Sequence, residues 1–139
     1  MVLMGFLFLL HAYVAWRLVP ALGFSPTAQG LLLGLLLASW WLMPLAVRAR
    51  RQPSQPWTSR LVWAGLLLMG WFSSLFVLTM LRDVLWLLSS VASLAWPAMA
   101  WSAAWVSASA AAVPALAGLL TLWGLVNARR TAKVVRVDV

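Results

Sequence analysis

The sequence predicts an all-α membrane protein with about four transmembrane helices, an interfacial or re-entrant apolar segment, and a short β-like tail at the C-terminus. Composition is the first observation: 65% of the 139 residues are hydrophobic and 9% are charged, whereas soluble domains average about 45–50% apolar and about 25% charged. The second is that long apolar runs alternate with short basic segments. A bilayer accommodates both features, because apolar side chains can face its hydrocarbon.

Four apolar runs have the length of membrane spans, at 2–19, 27–47, 61–81 and 107–126. Each is close to the ~20 residues that cross ~30 Å of hydrocarbon. The first run has no Lys or Arg near its start, which a secretory signal peptide would have, so it is interpreted as a retained helix. The chain is thereby divided into a transmembrane domain at 1–128 and a basic tail at 129–139.

The segment at 84–105 is apolar but rich in serine and tryptophan around Pro97. Tryptophan favours the membrane–water interface, where its ring meets hydrocarbon and its N–H meets water. An interfacial or re-entrant helix, or an extension of the third span past the membrane, is therefore predicted here.

Basic residues predict the orientation, because short loops rich in Lys and Arg remain in the cytoplasm. Four spans place two basic clusters on one side of the bilayer, which predicts a protein of the cell inner (plasma) membrane with both termini cytoplasmic. The lipid bilayer, including anionic headgroups, is the predicted partner, and no nucleic acid is expected. The two clusters are Arg48, Arg50, Arg51 and Arg60, and Arg129, Arg130, Lys133 and Arg136.

Isolated polar residues in the spans are the candidate interior contacts. His11 is the only histidine, and a hydrogen bond to a neighbouring helix is favoured over a proton relay or ligand role. Arg17 and Arg82 lie at span ends, where a long side chain reaches the interface along apolar surface. An ion pair between Arg17 and Asp83 is the alternative.

A small-residue stripe on the second span, Gly30, Gly34 and Ala38, is a candidate for helix packing. Small residues let two helices approach closely in a membrane. Packing against another helix of the same chain is favoured over self-association of two copies.

No catalytic, cofactor-binding or metal site is predicted in this chain. It contains no cysteine, and Asp83 and Asp138 are its only carboxylate side chains, so paired carboxylates for acid–base catalysis are excluded.

The end of the chain alternates apolar and polar residues from Lys133 onward, with one slip at Val134-Val135. This is the period of a half-buried strand, and a lone strand is unstable in water. Two interpretations remain open: the first strand of a soluble β-rich domain that follows Val139, or a basic tail that lies on anionic lipid.

Two stretches resemble membrane-anchored bacterial metallophosphoesterases of the calcineurin-like class. Residues 122–130 and 134–139, LWGLVNARR and VVRVDV, are similar to the junction between the last span and the catalytic domain of that family, and 81–86, LRDVLW, is similar to a stretch after an earlier span. The resemblance implies a membrane anchor. It also implies a two-metal centre, but only in a catalytic domain beyond this chain, since the family's metal motifs are missing here.

The rival interpretations are a self-contained small homo-oligomeric transporter or channel subunit, and a regulatory membrane subunit recognised through 84–105. A multidrug transporter of this length needs a carboxylate embedded in the membrane, and Asp83, at a helix end, is a poor candidate.

Overall fold

The computed structural model describes residues 2–23, 26–51 and 56–129. Within these ranges the chain is helical and contains no strand. The predicted β-like tail at 134–139 and the basic residues Arg130, Lys133 and Arg136 lie outside the described residues.

Four long helices make up the described chain, joined in part by two short 3-10 turns. The prediction of an all-helical protein with four helices long and apolar enough to cross a membrane is confirmed. The helices are α1 (Val2–Leu18), α2 (Pro26–Ala49), α3 (Pro56–Ala92) and α4 (Ala103–Ala128), and the 3-10 turns are Pro20–Leu22 and Pro97–Met99.

Side-chain contacts show that α1 and α2 run antiparallel. The Gln29 amide on α2 donates to the Val19 carbonyl at the end of α1 over 3.4 Å. At the other end of the pair, the Trp40 indole N–H donates to the Met4 carbonyl over 3.3 Å. Between α1 and α2, Gly23 turns the chain in the left-handed conformation at φ 57°, which glycine adopts without steric cost.

The remaining helices continue the same up-and-down order. Gly65 near the start of α3 lies against Ala46 near the end of α2, and Arg82 late in α3 bonds Ser109 early in α4. The start of α1, the end of α2, the start of α3 and the end of α4 therefore share one end of the bundle. We call it the basic end, because Arg48, Arg50, Arg51, Arg60 and Arg129 lie there.

The apolar segment at 84–105 contains no separate long helix of its own. Residues up to Ala92 continue α3, the Pro97–Met99 turn follows, and α4 begins at Ala103. Of the alternatives predicted for this segment, an extension of the third span matches the part up to Ala92. With 37 residues, α3 is about 55 Å long and exceeds the ~30 Å of hydrocarbon.

The bundle interior is a narrow apolar seam, while large apolar side chains cover the outside. Leu18 and Leu75 are completely buried, as is Val14. By contrast, Leu31 and Trp123 are 67% and 72% exposed. An outward-facing apolar surface on all four helices is the arrangement that lipid solvates.

The stripe Gly30, Gly34 and Ala38 is not where the helices of this chain meet most closely. A Cβ added at Gly30 or Gly34 would meet nothing within 4 Å, and both glycines are exposed, while Ala38 is half-buried. The prediction that these two glycines pack against another helix of the same chain is therefore corrected: neither glycine lies at such a contact. The reason is the rotation of α2 about its axis. Leu32 and Leu36 face the bundle interior, and because successive helical residues are 100° apart, Gly34 lies on the opposite face.

Candidate functional site

A group of polar side chains joins α1 to α3 near the end opposite the basic end. Arg17 Nε lies 2.6 Å from Asp83 Oδ2, and Arg17 Nη2 donates to Asp83 Oδ1 over 2.7 Å. The Tyr13 hydroxyl also donates to Asp83 Oδ2, over 2.6 Å. Tyr13 and Arg17 are one helical turn apart on α1, so the same face presents both groups to the carboxylate. The structure thus brings Arg17 and Asp83 together.

Arg82 extends this group of residues towards α4. Its Nε donates to Ser109 Oγ over 3.0 Å, its Nη2 donates to the Val106 carbonyl over 3.2 Å, and its Nη1 lies 3.6 Å from Asp83 Oδ1. Only 7% of Arg82 is exposed, so it does not reach along the surface to the interface as predicted. We call Tyr13, Arg17, Arg82 and Asp83 the arginine–aspartate cluster.

The arginine–aspartate cluster carries more positive than negative charge. Arg17 and Arg82 contribute two positive charges, and Asp83 contributes one negative charge. An open cleft of about 460 Å³ lies beside the cluster. The Arg17 guanidinium also lies 5.6 Å from the ring centroid of Trp86, a cation–π distance. The lining residues are Trp16, Arg17, Pro20, Ala21, Arg82, Trp86 and Val106.

A second polar contact lies deeper in the bundle, around His11. Its Nδ1 is 2.7 Å from the Leu7 carbonyl, and its Nε2 is 2.8 Å from Ser39 Oγ on α2. The imidazole stacks on the Phe72 ring of α3 with centroids 3.6 Å apart. His11 therefore links three helices, with both ring nitrogens engaged.

Removing the Ser39 hydroxyl tests this contact. We expect Ser39→Ala to lower the free energy of unfolding by about 1–3 kcal/mol, because a buried ring nitrogen loses its partner. Ser39 is fully buried, whereas Ser73 on α3 is exposed, so Ser73→Ala is the matched control. Thermal unfolding in detergent measures both, and equal stability of the two variants would contradict the assignment.

The polar side chains of the two contacts bond helices to one another. Across 2–23, 26–51 and 56–129, no three His, Cys, Asp or Glu side chains lie together in a group that could hold a metal ion. Asp83 is held by Arg17 and Tyr13, and His11 by Leu7 and Ser39. Chemically, these groups cross-link helices and leave positive charge beside the cleft.

Several residues of these contacts are not evident from the sequence. Tyr13 is the single tyrosine, and its place one turn before Arg17 is a signal that could have suggested a shared partner. The roles of Ser39, Phe72 and Ser109 depend on how the helices face one another, and no local pattern marks them.

The helices and their outward apolar surfaces define a multi-pass helical membrane protein. Comparison with known proteins adds no family to that class: no protein-family model matches the sequence, and neither a curated protein nor a solved structure gives a match.

Proposed function

We propose that this chain is the membrane anchor of a metal-dependent phosphoesterase and is itself non-catalytic. The anchor would hold a two-metal catalytic domain at the cytoplasmic face of the inner membrane, next to phospholipid or other lipid-linked phosphate substrates. The proposal rests on the resemblance of residues 122–130 and 81–86 to the anchored metallophosphoesterases.

The observation that best supports an anchor is the course of α4. This helix continues from Ala103 to Ala128 and is capped at Arg129, so it ends within the stretch that resembles the family's junction. A basic residue at a helix C-terminus interacts favourably with the helix dipole, and at a membrane surface it also attracts anionic lipid. The next domain would then begin beside the membrane.

The state of Asp83 favours the anchor over the self-contained transporter. A proton-coupled transporter needs a carboxylate that its substrate or a proton can reach in the membrane. Asp83 is instead held by two bonds from Arg17 and one from Tyr13. A carboxylate in this setting serves to hold helices together.

Two measurements test the proposal. Sequencing the gene beyond codon 139 should reveal an open frame that encodes an Asp-x-His metal motif soon afterwards. A green fluorescent protein fused after Val139 should fluoresce, and alkaline phosphatase at the same position should be inactive, because the tail would be cytoplasmic.

The fusions need a control at a position that the proposed orientation places on the opposite side. A fusion after Gly23, between α1 and α2, should give the reverse pattern, with active alkaline phosphatase. A stop codon after Val139 in independent isolates would contradict the anchor, and active alkaline phosphatase after Val139 would contradict the orientation.

A further inference from the structure

We propose that the cleft beside the arginine–aspartate cluster binds the phosphate group of an anionic phospholipid. The lipid would come from the leaflet opposite the basic end of the bundle. This site is separate from the proposed anchoring function, which concerns the basic end.

Charge is the first argument. Arg17 and Arg82 face a single carboxylate, Asp83, so the cluster has a net charge of +1. The only other acidic side chain in the sequence is Asp138, near the end of the tail. Positive charge at membrane depth is costly unless an anion or water balances it, and a lipid phosphate brings one negative charge.

The hydrogen-bond donors of the two arginines are the second argument. An arginine side chain has five N–H donors in a planar fork that matches phosphate oxygens. Arg17 uses two of them on Asp83, while Arg82 uses two on Ser109 and Val106 and places Nη1 3.6 Å from Asp83 Oδ1. Both side chains line the same cleft, and Arg17 is the more accessible of the two, with 27% of its side chain exposed against 7% for Arg82.

The depth of the cleft fits a lipid phosphate. Asp83 follows Arg60, at the basic end, by about 23 residues on α3, which corresponds to roughly 35 Å along the helix. The hydrocarbon is ~30 Å thick, and headgroups extend it to ~40–45 Å. With Arg60 at the phosphates of one leaflet, the cluster would lie at the level of the phosphates of the other.

The rest of the lining suits the remainder of a lipid. Trp16 is 74% exposed and Trp86 is 42% exposed, and both border the cleft with Pro20, Ala21 and Val106. Tryptophan at this level packs on glycerol and upper acyl carbons while its N–H reaches the headgroup. A soluble phosphate would leave these apolar walls without a partner.

Native mass spectrometry of the purified chain tests the site with two phospholipids. We expect phosphatidylglycerol to bind about tenfold more tightly than zwitterionic phosphatidylcholine of the same acyl chains, since two basic residues near a headgroup each strengthen anion binding severalfold. Soluble glycerol phosphate, added without lipid, distinguishes a lipid site from a site for any phosphate.

The variants separate this cleft from the charge of the whole chain. Arg82→Gln should reduce the preference for phosphatidylglycerol about three- to fivefold, because it removes one of the two charges and its donor fork. Arg60→Gln removes one charge at the basic end and should leave most of the preference intact. Ala21→Leu narrows the cleft with no change of charge, and it should also weaken binding of phosphatidylglycerol. This variant tests the site even if Arg82→Gln fails to fold.

Three results would overturn the proposal. The first is equal affinity for the two lipids. The second concerns the variants. The proposal fails if Arg82→Gln and Arg60→Gln lose the lipid preference equally, and it fails if Arg82→Gln and Ala21→Leu both leave that preference unchanged. The third is binding of glycerol phosphate as tight as that of phosphatidylglycerol, which would exclude the lipid as the specific ligand. None of these results depends on a catalytic domain, so they are distinct from a failure of the anchor proposal.

Discussion

Replacing Asp83 with asparagine is expected to destabilise the bundle by about 2–4 kcal/mol. The neutral amide would leave Arg17 and Arg82 without their shared carboxylate, and breaking a buried charge pair costs about 3–5 kcal/mol. The Arg17 and Asp83 side chains are 27% and 17% exposed, so water screens part of the interaction and the expected loss is somewhat smaller. Thermal or denaturant unfolding in a mild detergent measures it.

The double variant Arg17→Gln/Asp83→Asn is the control for Asp83→Asn. It removes both members of the pair, so no new uncompensated charge is created on α1, and it should recover a large part of the lost stability. If the double variant is as unstable as the sum of the two single variants, the 2.6 Å contact between Arg17 Nε and Asp83 Oδ2 contributes no coupling and the expectation is wrong.

Gly65→Ala is expected to cost about 1–3 kcal/mol, through overpacking between α2 and α3. A Cβ at Gly65 would overlap Ala46 Cβ and lie 3.2 Å from the Leu42 carbonyl oxygen. Backbone atoms are among these neighbours, so rotation of a side chain cannot relieve the contact and the helices must move apart. The loss should appear as a lower unfolding temperature in detergent.

Two further variants make this prediction specific. Gly70→Ala lies on the same helix, where a Cβ meets nothing within 4 Å, and it should be neutral or slightly stabilising because alanine favours helix. Adding Ala46→Gly to Gly65→Ala removes the clashing methyl group and should restore much of the stability. Equal effects of the two glycine substitutions would contradict the close contact between α2 and α3.

The glycine positions show what could and could not be predicted from local sequence. The stripe at Gly30 and Gly34 has the small-residue spacing of a packing motif, yet it faces outward. Gly65 has no comparable motif, yet a Cβ added there would overlap Ala46. Spacing reports which residues share a face of a helix, but not which neighbour that face meets. Whether the exposed stripe pairs two copies of the chain remains a prediction.

The contacts of the polar residues were likewise predictable from the sequence only in part. That Arg17 and Asp83 could meet is predictable, because alternating spans bring the end of the first and the end of the third to the same side of a bilayer. The bond from Tyr13 and the turn of Arg82 towards Ser109 on α4 are not predictable, because they depend on the rotation of each helix about its axis. The cleft lies where α1 with its following 3-10 turn, α3 and α4 leave a gap between them.

Length and hydrophobicity predict helices able to cross a membrane, since burying backbone polar groups in lipid requires helices and leaves apolar side chains outside, and the described residues contain four such helices. The helix ends also follow locally, within a few residues for α1, α2 and α4. Tertiary structure decides the rest: the extension of α3 to Ala92, the contact of Gly65 with Ala46, and the gathering of two arginines around one carboxylate. The physical reason is that hydrophobicity places a helix in the membrane whatever its rotation, whereas packing and hydrogen bonds between helices select one rotation among many.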